Sequence, residues 1–313
     1  PAFASINNTI TESQKHVGFT FSLASNLVGV LFPIAICLIL LVAVLFFGST
    51  IRGTRGWFSL GSFSFQPVEL TKWGLILLMS YIVSRFGRRF EHPLFFFGTG
   101  FITVFTMVLV ILQPDLGSAV ILGLIWFGII CLVGTRKLYI YGLIGVAVVV
   151  AVLSWFFFLQ PYQKNRILTF IHPESDPLRA GYNINQAAIA IGSGKFFGRG
   201  LGFGSQSQLR FLPEAQTDFI FSVIGEELGF AGAGAVVGLF GFMFWRLLRI
   251  IRNVNNDFAE IVVSGVTIVF FSQLIINVGA NLGLLPVTGV TLPFVSYGGS
   301  SLIVNLLMVG MVQ

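Results

Sequence analysis

The sequence predicts an all-α, polytopic membrane protein. It reads as a single membrane domain over 1–313 with eight transmembrane helices, a large ordered loop at 160–217 and a bent or re-entrant segment before the last helix. Three observations carry that expectation. Of the 313 residues, 55% are hydrophobic and only 10% are charged, and mean hydropathy is +0.91, whereas soluble domains hold about 25% charged residues. The apolar residues fall in repeated runs of roughly 17–25, the length a helix needs to cross hydrocarbon. The runs are continuous rather than alternating, which argues against a transmembrane barrel. The 36 glycines and 35 phenylalanines suit close helix contacts and lipid-facing bulk.

Taken in order, residues 1–16 are polar and show neither a signal-peptide pattern nor a full first span, so a truncated or incomplete N-terminus is expected. The apolar stretch 17–48 reads as one tilted helix at about 26–47, followed by a polar, glycine-bearing loop at 49–65 with Arg52, Arg55 and Trp57. Gln66-Pro67 opens a second span, about 67–84, ended by Arg85, Arg88 and Arg89. A third runs over 94–112, and the turn QPDLG at 113–117 leads into a fourth at 116–133, closed by Arg136 and Lys137. A fifth covers 138–159. The 160–217 region holds six basic residues, an apolar helix at 184–191, and six glycines within 192–204. That is too long for a simple connection and reads as an ordered lid or groove. A sixth span runs over 219–245, preceded by Pro213, which fits a helix start, a seventh over 261–278 and an eighth over 296–312. LGLLPVTGVTLPFVSYGGSS at 282–301 is too apolar for a free loop and too broken for one helix, as a segment lining a cavity would be. Cys37 and Cys131 sit in apolar runs and read as small buried hydrophobes.

The short loops set the orientation. Residues 85–89, 136–137 and 246–252 carry eight Lys or Arg and fall on one side, the cytoplasmic one by the positive-inside rule. The Trp57 loop, the 113–117 turn, the 160–217 region and the 281–295 segment then share the outer face. The net charge of +6 is explained by these loops and by an anionic lipid substrate rather than by a nucleic-acid partner.

Four of the 12 acidic residues lie within 210–229: Glu214, Asp218, Glu226 and Glu227. Charges in so apolar a context are costly. Asp218 stands near a helix start, where a carboxylate is tolerated. It could act as a general base on a sugar hydroxyl. Lys164, Arg166, Lys195, Arg199 and Arg210 could neutralise a pyrophosphate, although lipid-headgroup contact or solvation accounts for any one of them. Trp57 could stack on a sugar or anchor the membrane interface. Arg55 could serve a phosphate or pair with Asp115 or Asp218. Glu69 and Lys72, three apart, read as an internal ion pair or as structural support for the groove. Glu226 and Glu227 fall roughly 12 Å deeper than Asp218 if one helix runs through, with at least one of them paired inside the bundle to a lysine, arginine, hydroxyl or backbone group, Lys72 being the leading charged candidate. Gly225 and Gly229 form a small-xxx-small face. His16, His92 and His172 are scattered without zinc-ligand spacing, and neither a Walker lysine loop nor a G-x-S-x-G elbow is present.

Four ordered motifs sharpen this reading: FQPVELTKW at 65–73, QPDLGSA at 113–119, LPEAQTDFIFSVIGEELG at 212–229 and LPFVSYGGSSL at 292–302. Together they resemble the SEDS family, the rod-shape, division and sporulation glycosyltransferases that polymerise peptidoglycan from lipid II. The likeness extends from about residue 30 to the end. Gln216 stands where the family usually has histidine and Val68 where it has serine, and neither departure removes a charged group. GSQSQLRF at 204–211 and VTGVTLPF at 287–294 lean toward the elongation member, and IGEELG at 224–229 leans toward the division member.

The resemblance implies ten spans with both termini cytoplasmic, so part of the family's N-terminal region is missing or altered here. It implies that Asp218 is the essential extracytoplasmic aspartate and Trp57 the important outer-loop tryptophan. The implied reaction joins lipid II disaccharides with inversion and releases undecaprenyl pyrophosphate, whose charge is offset by basic side chains or by a divalent cation, magnesium or manganese. No nucleotide is needed. The implied partner is a single-pass transpeptidase of the class B penicillin-binding type, and the implied location is the bacterial inner membrane. A lipid II flippase and a non-catalytic scaffold for the transpeptidase remain as alternatives. The gathering of unusual residues on one face favours an enzyme over a flippase.

Overall fold

The computed structural model describes residues 27–51, 53–61, 63–86, 93–172, 180–209, 211–212 and 214–313. Helix α1 (Leu27–Phe47) leads into three short strands, β1 (Ser49–Ile51), β2 (Thr54–Leu60) and β3 (Phe63–Phe65). They form an antiparallel sheet in the order β1-β2-β3. The fold is therefore mostly helical rather than all-α, and the 49–65 loop is a correction. Its strands are short and TRGWFSL in β2 lacks the strict alternation that marks a half-buried strand.

Helices α2 (Pro67–Phe86), α3 (Pro93–Ile111), α4 (Leu116–Val133) and α5 (Lys137–Leu153) follow, α5 continuing into a π-helical turn at Ser154–Phe158. Pro67 occupies the first position of α2, where its missing N–H costs nothing. Asp115 caps α4, accepting from the Ser118 amide at 3.0 Å and its hydroxyl at 2.7 Å, and Gly134 ends that helix at φ 83°. In the 160–217 region lie α6 (Pro161–Ile171), α7 (Ala180–Ser193) and the four-residue α8 (Ser205–Gln208). Then come α9 (Ile220–Asn253), α10 (Asp257–Asn281) and α11 (Gly299–Val312), with the irregular 282–298 segment between the last two.

Among the described residues, five helices are long and apolar enough to cross a membrane: α3, α4, α5 with its π turn, α9 and α10. Leu31–Phe47 and α11 are shorter apolar helices. Helix α10 is central, packing on α2, α4 and α9, and the main core closes around Leu41, Ile76, Val110, Ile125, Phe270 and Met308. By contrast α5 buries no residue, the surface expected of a helix facing lipid. Cys37 is buried as expected, but Cys131 is exposed on the apolar exterior of α4.

The largest departure from expectation is in α9. Gly229 has φ 67° and ψ −165°, a backbone conformation essentially confined to glycine, and it divides the helix in two. The amides of Phe230 and Ala231 donate to the carbonyls of Lys195 and Phe196 instead of continuing the helical ladder. A Cβ at Gly229 would collide with Gly198 and Phe196. Residues 230–253 alone exceed the ~20 needed to span. Glu226 and Glu227 therefore lie on the short helical segment before the break and not on the long 230–253 segment. The expected close approach at Gly225 and Gly229 does occur, made by α7 and the glycine loop after it. Gly225 faces Ile191, and a Cβ at Gly194 would strike the Gly225 carbonyl. The expected helix start at Pro213 lies outside the described residues, and α9 begins at Ile220.

Candidate active site

The four irregular stretches of sequence meet at one cavity of about 370 Å³. Its wall takes Thr54 and Trp57 from β2, Gln66, Glu69 and Lys72 from the start of α2, Asp115 and Ser118 from the cap of α4, and Arg166 from α6. Glu214 and Asp218 enter from the turns before α9, Gln273 from α10, and Thr288, Gly289 and Tyr297 from the 282–298 segment.

Asp218 sits two residues before α9, and its main chain is fixed from α10. The side-chain amides of Asn277 and Asn281 both donate to its carbonyl oxygen, at 3.1 and 2.9 Å. Asn277 also holds the Val290 carbonyl at 2.8 Å. The Asn281 side-chain oxygen accepts from the Ser222 amide at 3.0 Å and its hydroxyl at 2.6 Å. From the other side, the Ser296 hydroxyl donates to the Thr217 carbonyl at 2.7 Å, and the Tyr297 amide to the Gln216 carbonyl at 2.8 Å. The Asp218 carboxylate lies beside Gly289, whose φ is 78°, and a Cβ there would sit 3.8 Å from Oδ2. Asn277, Asn281 and Ser296 are functional supports that the sequence does not single out. One signal for them exists, namely amide side chains four residues apart at 273, 277 and 281 on one face of an otherwise apolar helix.

Lys72 and Glu69 pair at 2.8 Å, and both are buried. Lys72 is thus engaged by Glu69 and not by Glu226 or Glu227, a second correction. Glu226 instead serves the outer loop. One oxygen accepts from the Gln206 amide at 2.8 Å and the other from the Ser207 amide at 3.2 Å, capping the first turn of α8. Glu227 accepts from the Ser207 hydroxyl at 3.5 Å. At the Gly229 break the loop docks on this segment, with the amides of Arg199 and Gly200 donating to the Glu226 and Glu227 carbonyls, which sets both glutamates beside the loop.

Asp115 is tied to the groove by Gln66, whose Nε2 donates to Oδ2 at 3.0 Å. Desolvation raises its pKa above the usual carboxylate range, against the opposing hydrogen bonds from Ser118 and the positive charge of Lys72. Arg55 pairs with neither Asp115 nor Asp218. Its Nη2 donates to the Phe46 carbonyl at 3.1 Å and its Nε to Gly48 at 3.3 Å, so it closes the C-terminus of α1.

Of the basic residues offered for a pyrophosphate, Arg166 lines the cavity, and Lys164, Lys195 and Arg199 do not. Arg199 donates to the Ser205 hydroxyl at 2.6 Å. Arg210 lies outside the described residues, as do Arg52, Arg88, Arg89, Arg179, His16 and His92. Among the described residues, no group of three His, Cys, Asp or Glu side chains could hold a metal ion. The described side chains do not by themselves form a cage for a divalent cation, and no step below depends on one.

The family model FTSW_RODA_SPOVE, described as "Cell cycle protein", matches residues 17–313. The chain belongs to this family. Its relatives include the peptidoglycan glycosyltransferase MrdB of Escherichia coli K12, 42% identical over 285 residues, covering 89% of this chain and 75% of the relative. The probable peptidoglycan glycosyltransferase FtsW of Trichlorobacter lovleyi is 38% identical over 282 residues, covering 88% and 72%. Among solved structures, a peptidoglycan synthase complex studied for its coordination of polymerization and crosslinking matches with TM-score 0.76 and 32% identity, over 96% of this chain and 81% of that one. The rod shape determining protein RodA of Thermus thermophilus matches with TM-score 0.63 and 29% identity, over 96% and 78%. The cavity around Asp218 is thus carried on a fold shared with RodA.

Proposed function

We infer that the chain is a peptidoglycan glycosyltransferase that polymerises lipid II into glycan strands. The observation that carries the reading is Asp218, a carboxylate at the wall of a cavity of about 370 Å³, with its main-chain carbonyl held by Asn277 and Asn281. Family membership gives the cavity its chemistry.

The acceptor's 4-hydroxyl gives its proton to the Asp218 carboxylate as its oxygen attacks the donor's anomeric carbon. The bond from that carbon to the diphosphate breaks, the electron pair leaves with undecaprenyl pyrophosphate, and the configuration inverts. Arg166 on the cavity wall is placed to meet the leaving diphosphate, and Lys72 is paired with Glu69. Trp57 offers an aromatic face for a sugar ring. The diphosphate leaving group supplies the driving force, so no nucleotide takes part. A divalent cation, if used, would arrive with the diphosphate.

In the membrane, this reading has eight spans, with the cavity opening at the extracytoplasmic face of the bacterial inner membrane and 160–217 as its large outer loop. The similarity to a synthase complex that couples polymerization to crosslinking supports a single-pass transpeptidase of the class B penicillin-binding type as partner. Purified protein given labelled lipid II in detergent should build a ladder of glycan products. A lipid flippase or a scaffold would leave the substrate at its starting size.

A further inference from the structure

Three amides stand four residues apart along α10: Gln273, Asn277 and Asn281. Two are committed to protein partners. The third is not. Gln273 is fully buried, yet neither its Oε1 nor its Nε2 has a hydrogen-bond partner, so exchanging the two ends of the amide would satisfy nothing. It lines the same cavity as Asp218. The Thr288 hydroxyl, on the opposing 282–298 segment, lines that cavity too and is likewise buried without a partner. Buried polar groups left unmatched are costly, and where they line a cavity they are matched by what fills it.

The surroundings specify the ligand's chemistry. Gln273 lies one turn, about 6 Å, along α10 from Asn277, away from the Asp218 carbonyl that Asn277 and Asn281 hold. Asn277 also bonds Val290, and Val290 and Thr288 both pack on Gly117 at the start of α4. Ile121, the next turn of α4, lines the cavity as well. Of the charged groups on α2 and α4 there, Lys72 pairs with Glu69, and the Asp115 carboxyl is engaged by Gln66 and Ser118. This end of the cavity therefore offers neutral donors and acceptors beside apolar side chains. It does not select a diphosphate. It suits a neutral group with a carbonyl acceptor, an N–H donor and a small apolar cap.

We propose that Gln273 and Thr288 form a subsite for the acetamido group of an N-acetylated amino sugar, about one ring further into the cavity than Asp218. Gln273 Nε2 donates to the acetamido carbonyl, Thr288 Oγ1 and Gln273 Oε1 receive its N–H or a neighbouring hydroxyl, and the methyl meets Ile121 or Val290. The inference rests on the glycosyl-transfer reading above and adds to it the group that positions the sugar.

The test uses the purified full chain and two substrates: lipid II, and a synthetic lipid II in which hydroxyls replace both acetamido groups. Wild type should show a KM for the analogue at least about 10-fold higher. Gln273→Leu, and independently Thr288→Val, should raise KM for lipid II while kcat changes little, and should shrink the difference between the two substrates. The melting temperature of Gln273→Leu in detergent should be unchanged or higher, because an unpaired buried amide has been replaced by an apolar group of similar size. A glutamine with a purely structural role would instead lower the melting temperature and leave the substrate preference intact, which overturns the proposal. Equal KM values for the two substrates in wild type would remove the subsite and leave glycosyl transfer standing. No polymer from either substrate would remove both.

Discussion

Asp115 shows how a single side chain can be both held and penalised. Gln66 and Ser118 satisfy its oxygens, yet its enclosure in the cavity wall raises its pKa. A carboxyl whose pKa is higher folded than unfolded binds more protons in the native state between those two values. Stability then falls as pH rises from the unfolded pKa, near 3.9, to the folded one, and levels off above it. Asp115→Asn does not titrate and retains a side-chain oxygen to cap α4. Melting curves in detergent should therefore show the Asn variant gaining on wild type as pH is raised from acid to neutral. A constant difference across that range would mean that the Asp115 carboxyl ionises as easily folded as unfolded. Glu69 and Lys72 differ in being two buried, oppositely charged side chains paired at 2.8 Å. Opposite charges three residues apart on one helix face make that pairing legible in the sequence itself.

At the scale of elements, the breaks matter more than the helices. The continuous apolar run of α4 is readable to the residue, 116–133, because Asp115 caps it and Gly134 ends it. The break at Gly229 is not readable, since a glycine within an apolar run usually stays helical. Only the loop carbonyls of Lys195 and Phe196, distant in sequence, require its conformation. Because of that break Glu226 becomes a cap for α8, and the two adjacent glutamates acquire unequal weight. Glu226→Gln leaves one of two loop amides unmatched, at a cost of about 1–3 kcal/mol, and should lower the melting temperature and expose 193–212 to protease. Glu227→Gln removes only a long contact to Ser207 and should change little. Both should keep the wild-type pH profile of polymerisation. A shifted pH optimum for Glu226→Gln with unaltered stability would move this residue from support into the reaction.

For the whole molecule, hydropathy reveals a membrane fold and charge asymmetry reveals which stretches share a face. The convergence of residues 54–57, 113–118, 166, 214–218 and 288–297 on one cavity follows that grouping. What the sequence does not supply is selection among the basic residues. Arg166 lines the cavity, whereas Arg199 donates to Ser205 and Arg55 to the end of α1, both away from it, and nothing in local composition separates them. Nor does an apolar run announce that its asparagines hold the main chain of Asp218. The central claim is that this aspartate acts as base at a site built around it. The direct measurement is the rate of glycan formation from lipid II by purified Asp218→Asn beside wild type, at matched melting temperature. The variant should be at least ~100-fold slower, the scale of losing a general base, and near-normal polymer from the folded variant would contradict the role assigned to Asp218.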